Sequence, residues 1–159
     1  MKWKSNFFSS SYKIFKDEQQ IGNLKERVFR NTANGELNDA VLEFRKKGFF
    51  KPKTEIFDQE TKEKVGQIQY DGWGAKANFE LNGEQYSFKY TNIWNTQWIV
   101  YDENGESMIH YKSRTFSGHI ETDETDDFLL LTGLYVHNYY VQISLFIVVV
   151  VVIVVSSSG

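Results

Sequence analysis

Between Tyr12 and Glu121 the chain alternates apolar and polar side chains over short runs separated by turn residues, the pattern of successive antiparallel strands. The alternation is clearest in Ala77-Asn78-Phe79-Glu80-Leu81 and Tyr86-Ser87-Phe88-Lys89-Tyr90, on either side of Asn82-Gly83. Asn-Gly readily takes the positive φ of a tight hairpin turn, and Asn34-Gly35 and Asn104-Gly105 predict two more. The pattern predicts roughly eleven or twelve short strands, near 12–16, 20–24, 26–31, 37–46, 53–58, 63–71, 75–81, 84–91, 97–101, 106–112 and 115–121. A loose repeat runs through them. An apolar strand, an acidic turn and a second strand recur at Tyr12–Leu24, Thr54–Ile68 and Gln97–His110.

The pattern changes after residue 121. Glu121, Asp123, Glu124, Asp126 and Asp127 precede a tail, Phe128 to Gly159, that has no charged side chain. Acids stabilise a helix N-terminus, whose unpaired N–H groups carry partial positive charge, and this cluster lacks the ligand spacing of a calcium loop. Helix capping is therefore the expected role, ahead of metal binding. The tail must be enclosed either by lipid or by the protein. The strictly apolar part, Leu145 to Val155, is eleven residues, short for a hydrocarbon core that takes about 20, and no basic residue flanks it. The expectation is a helix over about 124–155 buried at the centre of a barrel, with a C-terminal membrane anchor as the alternative. The inward set should include Phe15, Ile56, Phe57, Phe79, Phe88, Ile99, Leu145 and Val148 through Val155.

Composition narrows the function classes. The chain has 159 residues, one proline and no low-complexity linker, which fits a single all-β domain with one helix. A net charge of −3 argues against nucleic acid as a partner. No cysteine is present, so thiol catalysis and thiolate metal sites are excluded. The first residues, Met1-Lys2-Trp3-Lys4, lead into no apolar signal segment, so a cytoplasmic body is expected, peripheral to a membrane or held there by the tail. His110, His119 and His137 fall in no catalytic or metal-ligand spacing, and Gly72-Trp73-Gly74 reads as a turn. No enzyme activity, cofactor or metal is expected; the rival readings are an enzyme using His119 with neighbouring acids, and a carrier of a small hydrophobic ligand. The candidate binding segment is Arg45, Lys46, Lys47, Phe49, Phe50, Lys51 and Lys53, cations and aromatics suited to an anionic lipid surface or a protein partner.

The hairpin units around Ile14-Phe15, Ile56-Phe57-Asp58 and Ile99–Gly105, with the terminal segment Leu129–Val155, resemble the tubby-like barrel superfamily. It comprises tubby C-terminal domains, phospholipid scramblases and LURP-one-related proteins. The resemblance covers about residues 10–155 and implies a closed barrel of about twelve strands threaded by its C-terminal helix, and contact with phosphoinositides or other anionic lipids. The chain lacks the proline-rich extension, cysteine cluster and calcium-binding segment of scramblases, so the resemblance does not imply lipid scrambling.

Overall fold

A computed structural model describes residues 1–6, 10–27, 31–48, 51–71, 75–123 and 126–157. Twelve antiparallel strands follow one another round a closed barrel, β1 pairing with both β2 and β12. They are β1 (Lys2–Asn6), β2 (Ser11–Lys16), β3 (Gln19–Arg27), β4 (Thr32–Leu37), β5 (Ala40–Lys47) and β6 (Lys53–Asp58), then β7 (Lys64–Asp71), β8 (Lys76–Leu81), β9 (Glu84–Tyr90), β10 (Gln97–Tyr101), β11 (Ser107–Arg114) and β12 (Ser117–Glu121). Closure leaves no open sheet edge. One helix, α1 (Asp127–Ser157), follows.

The repeat seen in the sequence is a real feature of the barrel. Its register shifts at Ile14/Phe15, Ile56/Phe57 and Val100/Tyr101, in the hairpins β2–β3, β6–β7 and β10–β11. These lie four strands apart. At each, the residue after the shift is an outward aromatic under a cation from the preceding strand. Lys4 lies 5.4 Å from Phe15, Arg45 4.0 Å from Phe57 and Lys89 5.3 Å from Tyr101. Gly22 and Gly66 occupy equivalent places opposite Leu37 and Leu81, where an added Cβ would strike the carbonyl oxygens of Glu36 and Glu80.

Three expectations need correction here. Phe15, Phe57 and Ile99 face outward; their neighbours Ile14, Ile56, Trp98 and Val100 fill the barrel, because successive side chains on a strand point to opposite faces. Asn34-Gly35 lies within β4, and the turn falls at Asn38-Asp39, where Asn38 has φ 49°. Gly35 is small for another reason: Leu131 of the helix would lie 3.1 Å from its Cβ. β1 and β4 are strands that the alternation did not predict, and β3 runs through the break expected at residue 25.

α1 begins where the acidic cluster ends. Asp126 caps it, its Oδ1 accepting from the N–H groups of Phe128 (2.8 Å) and Leu129 (3.1 Å). Asn38 donates to Asp127 Oδ2 (2.8 Å), tying the helix start to the β4–β5 turn. The helix then enters the barrel, where residues 129–139 are buried. Leu130, Leu131 and Leu134 fill the lumen, and three ring stacks hold the helix to different walls. Tyr135 lies on Phe44 of β5 at 4.1 Å, His137 on Trp98 of β10 at 3.8 Å and Tyr139 on Tyr70 of β7 at 3.6 Å. On the β10–β11 side the fit depends on Gly133. A Cβ there would sit 2.4 Å from the Tyr111 hydroxyl, which is itself held by donating to the Leu130 carbonyl (3.0 Å).

The last part of the expected core is the main departure. Ile143, Phe146 and every residue from Ile147 to Val155 are exposed, and Leu145 is half-buried. The helix passes through the barrel and continues beyond it as an uncovered apolar rod.

The Gly133 contact makes a direct prediction. Gly133→Ala forces the helix off the β10–β11 wall and should cost about 1–3 kcal/mol through overpacking. Thermal unfolding followed by circular dichroism should show a midpoint lowered by roughly 2–10 °C. Gly83→Ala, in a turn with open space around it, strains only a positive-φ residue and should cost less.

Candidate functional site at the distal mouth of the barrel

The barrel has two unlike ends. At the proximal end, where α1 enters, lie the connections β2–β3, β4–β5, β6–β7, β8–β9, β10–β11 and β12–α1. The connections carry Asp17, Glu18, Asp39, Glu60, Asp102 and Glu103 among other acids against Lys62, and the adjoining strand ends add Lys2, Lys16 and Lys64. At the distal end, where α1 leaves, the described termini of the strands and their connections carry Arg27, Lys47, Lys51, Lys53, Lys76 and Arg114, all exposed, with Asp71 as the exposed acid. The apolar half of the helix projects from this basic end.

Polar contacts grip the helix at this mouth. Asn138 Nδ2 donates to Glu26 Oε2 (2.6 Å), and Lys46 donates to the other oxygen of the same carboxylate. Gln142 donates to Ser10 Oγ (2.9 Å), and the Tyr140 hydroxyl donates to the backbone carbonyls of Asp71 (3.3 Å) and Lys76. Glu26 is buried, so these donors satisfy a carboxylate that would otherwise be costly to desolvate. Next to Asn138 on the helix, His137 Nδ1 lies 2.9 Å from the Tyr90 hydroxyl. Burial lowers the pKa of this imidazole to about 3, so it is neutral at physiological pH. Burial also raises the pKa of the Tyr90 phenol, which stays protonated and can donate to His137.

The predicted cationic segment is the β5–β6 hairpin at this mouth, but its members have different duties. Arg45 is engaged by Glu43 (2.6 Å) and stacked over Phe57. Lys46 turns inward to Glu26, with Tyr139 5.8 Å away, and belongs to the helix clamp. Lys53 lies 3.9 Å from Glu55. Lys47 and Lys51 are exposed cations at the rim, and Phe49 and Phe50 lie outside the described residues, as do Gly72-Trp73-Gly74. His110 and His119 point outward on β11 and β12, away from His137 in the lumen.

Sequence reading missed the most exposed apolar side chains of the barrel itself, Ile93 at 88% and Trp94 at 77%. The β9–β10 connection holds them out. Asn92 Oδ1 accepts from the N–H groups of Thr96 (2.9 Å) and Gln97 (3.2 Å), while Asn92 Nδ2 donates to Thr96 Oγ1 (2.7 Å). Asn92 thus satisfies the loop from within, and Ile93-Trp94 form its tip. Trp94 lines a cleft with Tyr140, Val141, Leu145 and Val148, so the tip is continuous with the departing helix. Phe116 of the β11–β12 connection is half-exposed and lines, with Leu145, a second cleft on another side of the helix. An Ile-Trp pair with no strand alternation around it carries no one-dimensional signal of this placement.

Two predictions follow from the clamp and from His137. Lys46→Gln removes the ammonium from a buried carboxylate and should destabilise by roughly 1–3 kcal/mol, after allowing for its partial exposure, whereas Lys47→Gln should stay within about 0.5 kcal/mol. Urea unfolding of both variants compares them. For His137, the folded pKa lies below the unfolded value of about 6.5. The unfolded chain therefore binds the extra proton, and stability falls as pH drops from about 6.5 towards 3, with a slope of up to about 1.4 kcal/mol per unit from this residue. Between pH ~6.5 and ~5, above most carboxylate titrations, His137→Phe should flatten the slope in urea unfolding.

Comparison of the chain with protein-family models, curated proteins and solved structures finds no match in any of the three.

Proposed function

We propose that this protein is a non-catalytic binding or scaffold module held at a membrane by the distal half of its helix. The observation that carries the reading is the division of α1: residues 129–139 are buried in the barrel, while Ile147 to Val155 are exposed and wholly apolar. Helix and environment are linked physically. Val and Ile are weak helix formers, and so short a free segment is marginal in water. In hydrocarbon a helix satisfies its backbone groups internally except in the last turn, and each central Val, Ile, Leu or Phe contributes about −0.3 to −0.6 kcal/mol to insertion. The eleven residues Leu145–Val155 thus favour insertion by roughly 3–7 kcal/mol. From Ile143 to Val155 the rod rises about 20 Å, deeper than one leaflet of a core about 30 Å thick.

This reading keeps the tubby-like resemblance for the barrel, supported by the closed twelve-strand meander and its central C-terminal helix. It takes up the tail anchor in place of full enclosure. A carrier of hydrophobic ligands would need an open lumen, and here Leu130, Leu131, Leu134 and Tyr135 occupy it. The barrel is assigned to the cytoplasmic side, where a basic juxtamembrane end is favoured.

Truncation separates the two halves of the helix. The full chain should co-sediment with lipid vesicles and resist alkaline carbonate extraction. A chain ending at Gln142 should be soluble and unfold cooperatively. A chain ending at Asp123 should lose cooperative unfolding, since its barrel would be emptied. Monodisperse full-length protein in detergent-free buffer, with no vesicle binding, would overturn the proposal.

A further inference from the structure

We infer that the distal rim of the barrel is a second, separate lipid-contact surface, which seats the barrel on an anionic bilayer surface with Ile93 and Trp94 in the interface. The inference rests on the reading of the distal helix as membrane-inserted and goes beyond it. An inserted tail alone would leave the barrel free to tilt or stand off; the rim fixes how the barrel sits.

Three independent features converge on this end. The first is the apolar tip. Ile93 and Trp94 are offered to solvent by a loop whose backbone is already tied down by Asn92, so the tip can enter the interface without leaving those amides unpaired. Trp is the residue suited to that depth, with an apolar ring body and one N–H for the head-group layer. The second is continuity. Trp94 shares a cleft with Tyr140, Val141, Leu145 and Val148, and Phe116 lines a second cleft that Leu145 also borders, so the tip is continuous with the inserted rod. The third is charge. Arg27, Lys47, Lys51, Lys76 and Arg114 ring the same end and have no carboxylate within ion-pair distance among the described residues, with Asp71 the opposing acid. The far end is acidic. A leaflet carrying net negative charge attracts the first end and repels the second, so the same field that binds the barrel also orients it.

The absence of cysteine from the sequence makes the test direct. Spin labels are placed singly in the full chain at Ile93→Cys in the rim, Asn104→Cys at the proximal end and Val150→Cys in the tail. Each variant is reconstituted in vesicles of phosphatidylcholine alone and of phosphatidylcholine with phosphatidylserine. Relative collision with oxygen, which concentrates in lipid, and with a water-soluble nickel chelate reports depth. Val150 should be immersed in both membranes and Asn104 aqueous in both. Ile93 should show a several-fold higher oxygen-to-nickel ratio than Asn104 in the anionic vesicles. That ratio should fall on added salt, in neutral vesicles, and when Lys47, Lys51, Lys76 and Arg114 are changed together to Gln. Cooperative thermal unfolding of the quadruple variant confirms that its fold is intact. An immersed Val150 with Ile93 as aqueous as Asn104 would overturn the rim surface and leave the anchor standing. Equal immersion of Ile93 in neutral and anionic vesicles would overturn the assignment to anionic lipid. An aqueous Val150 would overturn the anchor and this inference with it.

Discussion

The interaction on which the rest depends is the filling of the barrel by the first half of α1. A closed sheet of twelve strands encloses a lumen that its own inward side chains do not fill, and an empty apolar lumen would forfeit dispersion contacts along its whole length. Leu130, Leu131 and Leu134 fill it, and the ring stacks of Tyr135, His137 and Tyr139 key the helix to three walls. Gly133 brings the helix close enough to Tyr111 and Val100 for this fit. The barrel and the buried segment are therefore one cooperative unit.

That same constraint sets how much of the helix can be sheathed. Strands of five to nine residues, tilted as in other barrels, make a wall roughly 15–22 Å tall, which covers about 10–15 helical residues. The helix has 31. The remainder has to emerge, and it does so beyond the grip of Asn138, Tyr140 and Gln142 on the distal mouth. What emerges is apolar, and it emerges at the basic end. The acidic end instead holds the helix start, where Asp126 meets the first free N–H groups.

The threefold recurrence of the hairpin with a register shift gives the barrel wall its regularity. Each shift lies four strands from the next, and at each an outward aromatic is covered by a cation from the preceding strand. A shift of register locally increases twist, which helps a flat meander close. Gly22 and Gly66 admit the neighbouring strand's backbone where a side chain would collide with Glu36 and Glu80.

Alternation along the chain, Asn-Gly at 82–83 and 104–105, and the acidic cluster before an uncharged tail are enough to read an all-β meander followed by one C-terminal helix capped by acids; its closure into a barrel around that helix is what the tubby-like resemblance implies. These are local signals, carried by period, turn chemistry and charge. Local signals do not assign faces where two apolar residues adjoin: by type Phe15 and Phe57 suit the core as well as Ile14 and Ile56, which take the inward places. They could not tell that Gly35 answers to Leu131 rather than to a turn, since the two lie almost a hundred positions apart in the chain. Lys46 looked like one cation among five, and only the juxtaposition of β3, β5 and α1 makes it the partner of Glu26. Most of all, composition states that the tail must leave water but not where it goes. That was decided by the height of the barrel wall, a property of strands far from the tail in sequence, which buries Tyr139 and leaves Val150 uncovered.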